Sequence, residues 1–160
     1  MALVCSIALS HGALGGTSSA TIFVSATVVS SCRVSTDALA FGDYDPGDTN
    51  AHSPLDAIAT VTLSCSVPSQ PTIRVSPGQN PRRAAGATRA MSGDAGYLAY
   101  EIFRDRNHAD AWTGDRSVTL SLSPASLTKP LGYQVYGRVP AGQHVPPGTY
   151  ADVVKVSIDF

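Results

Sequence analysis

The chain has 160 residues, of which 14% are charged, and its formal net charge is −1. This balance excludes a strongly basic protein that binds nucleic acids or anionic membranes mainly through its overall charge. Ser, Thr, Ala, Gly, Val and Pro dominate the sequence, which is typical of short strands and many turns. The length favours one domain with a core of its own.

Residues 1–20 are predicted to be a signal peptide. The short apolar run Ala2–Leu9 is followed by small residues, and Ser18 and Ala20 fit the positions before a signal-peptidase cut. The run is too short to span a bilayer, so no transmembrane segment is predicted. The alternative is a buried N-terminal strand or helix. The signal-peptide interpretation predicts an exported protein.

The number of cysteines is consistent with an exported protein. Cys5 lies in the apolar run and would leave with the signal peptide, so that Cys32 and Cys65 remain as an even pair in an oxidising compartment. A metal site or a redox site would require more ligands or a C-x-x-C motif, and neither is present. The sequence therefore predicts one structural disulfide between Cys32 and Cys65.

The remaining chain consists of short runs in which apolar and polar residues alternate, with turn-forming residues between them. The predicted strands are Thr21–Ser30, Val34–Phe41, Ala57–Ser66, Thr72–Ser76, Tyr97–Arg104, Ser117–Ser123, Tyr133–Val139 and Tyr150–Phe160. Residues 77–96 are predicted to be a long exposed loop, and residues 105–115 a polar loop that holds Trp112. Seven or eight short strands without a helical period indicate an all-β sandwich or barrel.

The first and last predicted strands bear on function. Ile22, Val24, Ala26 and Val28 share one face of the first strand, while Val154, Val156, Ile158 and Phe160 share one face of the last. If the sandwich lacks one strand, its core lies open along a groove, and strand addition from another chain would close it. Such head-to-tail contacts build filaments. The alternative is that Thr21–Ser30 pairs within its own sandwich, and the pattern alone leaves both possibilities open.

An ordered set of segments resembles the spore coat protein U domain family, which includes the subunits of archaic, Csu-type chaperone–usher pili. The matching segments are Phe23–Cys32, Leu39–Pro46, Val61–Cys65, Arg89–Met91, Leu98–Asp105, Trp112–Gly114, Tyr136–Pro140 and Gly148–Asp152, with the terminal Phe160. The resemblance covers about residues 21 to 160.

This resemblance implies an incomplete, immunoglobulin-like β-sandwich of Greek-key type. It also implies periplasmic folding with a chaperone, secretion through an outer-membrane usher, and donor-strand exchange with copies of itself or related pilins. On this basis residues 21–31 would form the donor strand, with Ile22, Val24, Ala26 and Val28 facing inward, and residues 32–160 the sandwich domain. The chaperone would hold the C-terminal strand with Val154, Val156, Ile158 and Phe160. Cys32 and Cys65 would form the family disulfide.

No catalytic, cofactor or metal motif is recognised. Asp43, Asp45 and Asp48 are interpreted as turn residues, because the EF-hand pattern needs a longer loop that ends in Glu. His52, His108 and His144 are predicted to lie on the surface, and Asp105, Asp110 and Asp115 follow no spacing rule for paired acids.

Arg82, Arg83 and Arg89 could bind a polyanion or a glycan, with a solvated loop as the default, while Trp112 and Tyr97 are expected to pack in the core or at its rim.

Two functions of different classes follow from these observations. The first is a structural subunit of a pilus, surface layer or spore coat, secreted through the periplasm and supporting adhesion or biofilm formation. The second is a secreted monomeric module that binds carbohydrate or another surface. An enzyme is not predicted.

Overall fold

A computed structural model describes residues 15–84, 86–114, 116–122 and 129–160. Most of the predicted signal peptide, Cys5, Asp115 and the end of the predicted strand Ser117–Ser123 lie outside the described residues. The elements in chain order are β1 Cys32–Thr36, α1 Thr49–His52, β2 Leu55–Cys65, β3 Thr72–Val75, β4 Arg89–Gly93, β5 Gly96–Phe103, β6 Ser117–Thr119, β7 Leu131–Val139 and β8 Val156–Asp159. Within the described part of the chain, no helix has the length and apolarity needed to cross a membrane.

The strands form two antiparallel sheets. One sheet has five strands in the order β1-β2-β7-β5-β4, and the other has three in the order β6-β3-β8. The central pair joins β2 to β7, from Leu55 opposite Val139 to Leu63 opposite Leu131. Neighbours in the sheets are mostly distant in sequence, as in a Greek-key sandwich.

Side chains from both sheets meet in one core. On β2 the alternation places Ala59, Val61, Leu63 and Cys65 inside, while Ile58 on the opposite face is 59% exposed. Ile73 and Val75 approach from the smaller sheet and pack in the same cluster as Ala59 and Val61. The all-β sandwich predicted from the sequence is therefore confirmed.

The structure corrects one prediction in the long loop. Residues 77–96 are not loop throughout, because Arg89–Gly93 forms β4 and pairs in register with Gly96–Tyr100 of β5. This segment has the sequence RAMSG and shows no apolar alternation. Its strand conformation results from pairing with β5, which no local pattern reveals.

The last strand is shorter than the predicted Tyr150–Phe160. Ala151 exchanges two backbone hydrogen bonds with Ser92, at the edge of the five-stranded sheet, with N···O distances of 2.8 and 3.0 Å. Val156 then pairs with Val75 of the three-stranded sheet. The chain thus changes sheets between these two residues, and this crossing segment cannot belong to one continuous strand.

Candidate functional site

An open apolar groove of about 430 Å³ lies between the two sheets. Its sides are residues 36–41, which begin at the last residue of β1, and residues 150–156, which end at the first residue of β8. The floor consists of buried core residues, with Val61, Val135, Tyr100, Ile102 and Val75 among those that line it. β1 and β8 have a partner on one side only among the described strands, so the groove runs beside unpaired sheet edges.

The groove is closed at the end where the disulfide lies. Cys32, Val34 and Ile158 pack against the small buried cluster of Leu63, Cys65 and Leu122. Further along, the chain around residues 36–41 and the chain around residues 150–156 line opposite sides of the cavity. The two sides run in opposite directions, because β1 leads away from the disulfide and β8 leads towards it.

A polar network fixes the wall formed by residues 150–156. Tyr100 donates its phenolic hydrogen to Asp152 Oδ2 across 2.7 Å, and the backbone N–H of Gln79 donates to Asp152 Oδ1 across 2.9 Å. Burial, followed by this hydrogen bond, raises the pKa of Tyr100 well above its usual range. The N–H of Lys155 donates to Ser76 Oγ, which ties the same wall to the end of β3. These side-chain contacts and the isolated backbone hydrogen bonds of Ala151 and Lys155 hold the wall, in place of a continuous strand ladder.

The segment before Cys32 does not pack on its own sandwich. Residues 15–31 form no helix or strand, and every one of them is exposed. Ile22, Val24 and Val28 are 85%, 91% and 85% exposed, and Phe23 of the opposite face is 94% exposed. Burial of one such side chain stabilises a protein by roughly 1.5–3 kcal/mol. The segment therefore has a large apolar surface that its own sandwich does not bury.

The base of this segment is fixed firmly. The N–H of Ser66 donates to the Ser31 carbonyl oxygen across 2.8 Å, and the N–H of Ser31 donates to Ser66 Oγ. The next residue, Cys32, forms the predicted disulfide with Cys65, its direct partner in the β1–β2 register. Closing the 33-residue separation stabilises the fold by roughly 3–4 kcal/mol in the chain-entropy model. The disulfide prediction is thus confirmed.

The apolar part of the exposed segment and the groove wall of residues 150–156 contain the same number of residues. Ile22 to Val28 covers six residue steps, about 20 Å in an extended strand at roughly 3.3 Å per residue. Tyr150 to Val156 covers the same number of steps along the groove wall.

Three of the four residues that share one face of the predicted last strand pack against the core. Val154, Val156 and Ile158 pack against the main core. Phe160 lies beyond β8 and is 57% exposed. Its ring therefore contributes to the surface of the isolated chain, next to an unpaired strand edge.

Asp45 and Asp105 accept hydrogen bonds within turns, and His52 and His144 lie on the surface. Asp45 Oδ1 accepts the N–H groups of Gly47 and Asp48, as expected for a turn. Asp105 Oδ1 accepts the N–H groups of Ala109 and Asp110, which lowers the pKa of Asp105. His52 and His144 are exposed, as predicted. The ranges described contain no group of three or more His, Cys, Asp or Glu side chains that could hold a metal ion.

His108 is not the surface residue that its loop position suggests. Its side chain is only 9% exposed, and its ring packs edge-on against Phe103 and Tyr136. Its Nε2 lies 3.7 Å from Asp56 Oδ1, and Asp56 pairs with Arg138. The sequence alone could not predict the burial of His108, because its ring partners come from two different strands.

The arginines of the long loop also differ from one another. Arg82 and Arg83 are exposed, and Arg83 lies over the ring of Tyr97 at 5.9 Å from its centroid. Arg89 is fully buried, contrary to the expected solvated loop. Trp112 is also fully buried, which confirms the expected core packing.

The comparisons with known proteins agree with this architecture. The family model described as Spore Coat Protein U domain matches residues 18–157. The curated protein "Protein U" of Myxococcus xanthus is 35% identical over 155 residues, which cover 90% of this chain and 86% of that protein.

A similar solved structure is the chaperone–tip adhesion subunit pre-assembly complex CsuC–CsuE from the archaic chaperone–usher Csu pili of Acinetobacter baumannii. The TM-score is 0.58 at 24% identity, and the match covers 84% of this chain and 40% of that chain. At this identity the likeness shows a shared fold.

Proposed function

Because the chain belongs to the Spore Coat Protein U domain family, we propose that it is a structural subunit of a surface fibre or coat that assembles by donor-strand exchange. In this assembly the exposed segment of residues 21–31 of one subunit fills the open groove of the next. The observation that carries the proposal is the coexistence of an open apolar groove and an exposed apolar segment in one chain.

Strand addition explains why both features occur together. The inserted segment pairs with the free edges beside the groove and places alternate side chains on the core. Ile22, Val24, Ala26 and Val28 enter the groove in this arrangement, while Ser25 and Thr27 face away. Each subunit accepts one segment and offers another, so the contact is head-to-tail and extends without closure.

A chaperone is the second partner that we propose. Until a neighbouring subunit fills the groove, the core side chains along residues 36–41 and 150–156 lie open to water, which is an aggregation hazard. A periplasmic chaperone that supplies a temporary strand along β8, with its terminal Phe160, would prevent aggregation. The proposed route is export, chaperone binding, passage through an outer-membrane usher, and a final place on the cell surface or spore coat. Support of adhesion or biofilm formation belongs to the same proposal.

The decisive experiment is deletion of residues 21–29 from the exported protein. We expect the variant to form no polymers while it still binds the chaperone, because the groove is intact and only the donated strand is missing. Intact assembly of the variant would contradict donor-strand exchange and favour the secreted monomeric module.

A peptide of residues 21–31 provides a matched test in trans. Added to the deletion variant, it should raise the melting temperature, since it fills the groove. The same peptide with Val24→Asp and Val28→Asp should not, because each buried carboxylate lacks a partner. Equal effects of both peptides would show that the groove does not select this face.

A further inference from the structure

A second cavity, of about 850 Å³, lies between the loop before β4 and the loop before β6. None of the residues that line it lines the groove. Three arginines, Arg82, Arg89 and Arg116, contribute to its walls, and its described lining contains no acidic residue. This local excess of positive charge contrasts with the formal net charge of −1 for the chain.

Arg89 is a buried cation, and one of its N–H donor groups has no hydrogen-bond partner among the described residues. Its side chain is 0% exposed, and its Nε and Nη2 both donate to the carbonyl oxygen of Ser76. Its Nη1 is buried without a hydrogen-bond partner among the described residues. The nearest carboxylate, Glu101, has an oxygen 3.8 Å from Nη1, beyond hydrogen-bond distance, and accepts instead from the N–H and hydroxyl of Thr88.

The other two arginines lie at the exposed side of the cavity. Arg82 is exposed, and in the described ranges its guanidinium has no hydrogen-bond or ion-pair partner. Arg116 pairs with Asp110 at 3.0 Å, but Asp110 also pairs with Arg104. Asp110 therefore pairs with two arginines, and among the described residues neither Arg82 nor Arg116 has a carboxylate to itself.

We propose that this cavity is a binding site for an oxyanion, such as a carboxylate or sulfate group, held by Arg82 and Arg116 above the buried guanidinium of Arg89. Planar guanidinium groups bind such oxygens through paired hydrogen bonds. An anion here would accept a hydrogen bond from the unpartnered Nη1 of Arg89, whose charge Glu101 offsets only from 3.8 Å. The same chemistry fits a free oxyanion and an acidic group on a polysaccharide.

The indole N–H signal of Trp112 can report binding of an oxyanion in this cavity. It is the single tryptophan of the chain, and its Nε1 donates to the backbone carbonyl of Arg116 across 3.1 Å. The indole N–H signal of the ¹⁵N-labelled full chain is followed while sodium sulfate, or sodium chloride at equal ionic strength, is added. We expect a saturable shift with sulfate that chloride does not reproduce.

The variants test whether the arginines cause the shift. In the double variant Arg82→Ala and Arg116→Ala, affinity for sulfate should fall at least tenfold, while the indole bond to the backbone carbonyl remains. Arg33→Ala, which removes an exposed arginine of β1 outside the cavity, should bind like the unmodified chain. A linear shift that is the same in all three proteins would overturn the proposal, since it would reflect general effects of salt.

The source of the oxyanion is tested separately. Oligogalacturonate and a neutral oligosaccharide of equal length are titrated in the same way. Tighter binding of oligogalacturonate than of sulfate, lost in the double variant, indicates a site for acidic polysaccharide; binding of sulfate alone indicates a site for free ions. If neither sulfate nor oligogalacturonate gives a saturable shift, the proposal is wrong.

Discussion

Tyr100 and Asp152 are joined by a 2.7 Å hydrogen bond that connects a core strand to the wall of the groove. Asp152 lies in the segment that crosses between the two sheets, and Tyr100 lies on β5 in the five-stranded sheet. The carboxylate also accepts the N–H of Gln79, so it links three parts of the chain. The shape of the proposed acceptor groove therefore depends in part on this polar contact.

The first prediction concerns this contact. Asp152→Ala should lower the free energy of unfolding by about 2–3 kcal/mol, because it leaves the buried Tyr100 hydroxyl without a partner. It should also reduce uptake of the 21–31 peptide, since the wall is no longer held. Urea unfolding and peptide titration measure the two effects.

Asp159→Ala is the matched control for Asp152→Ala. It removes an exposed ion pair with Arg74, in which the two side chains are 67% and 53% exposed, and should change stability by less than about 0.5 kcal/mol. Equal losses in both variants would show that the Tyr100–Asp152 bond has no special role in the wall.

The second prediction tests the inward face of the donor segment. Val24→Asp or Val28→Asp in the full chain should block fibre formation, because insertion would bury an unpaired carboxylate in the neighbouring subunit. Ser25→Asp lies on the opposite face and should assemble normally. Electron microscopy of secreted material distinguishes them, and normal fibres from both valine variants would count against this assignment of the inward face.

The third prediction concerns the opposite wall. A Cβ at Gly137 in the middle of β7 would lie 2.7 Å from Leu39 Cδ2 and 2.7 Å from Phe41 Cζ, which both line the groove. Gly137→Ala should therefore displace these side chains and cost about 1–3 kcal/mol in unfolding free energy. It should also weaken peptide binding.

Gly132→Ala in the same strand is the control for the third prediction. Its Cβ would meet only Thr60 Cγ2, at 3.2 Å, which a small movement relieves. We expect this variant to bind the peptide normally. If Gly137→Ala binds the peptide as well as the control does, residues 39 and 41 do not shape the groove.

The fourth prediction is a pH dependence on the outer face of the five-stranded sheet. Two hydrogen bonds of 2.7 Å from Arg138 lower the pKa of Asp56 below its usual range. The ion pair therefore stabilises the fold above the ordinary aspartate pKa of about 3.9, and this contribution is lost as the pH falls through the lowered value. The side chain of Asp56 is 43% exposed, so the contribution is at most about 1 kcal/mol.

The variant Asp56→Asn isolates that contribution. Its unfolding free energy should be lower than that of the unmodified chain at pH 7, and the difference should shrink as the pH falls below about 4. Denaturant unfolding at several pH values measures this. A difference that stays constant down to pH 2 would show that Asp56 acts through packing alone.

Much of this fold can be predicted from the sequence, because strands that bury one face carry a period of two. The inward residues of β2 and β5 and the Cys32–Cys65 disulfide all follow from local pattern and cysteine count. The exposed segment that contains Val24 and Val28 could also be singled out by its alternation. Whether it pairs within its own sandwich could not, since an alternating strand looks the same in either place.

Other features exist only in the tertiary structure. β4 has no apolar alternation and becomes a strand because β5 offers it an edge. Arg89 is buried because that strand places it beside Ser76, and His108 because two strands bring Phe103 and Tyr136 to its ring. The groove arises where the chain changes sheets between Ala151 and Val156, which depends on pairing partners far away in sequence. Local alternation specifies which face of a strand is apolar, whereas long-range pairing decides which edge stays open.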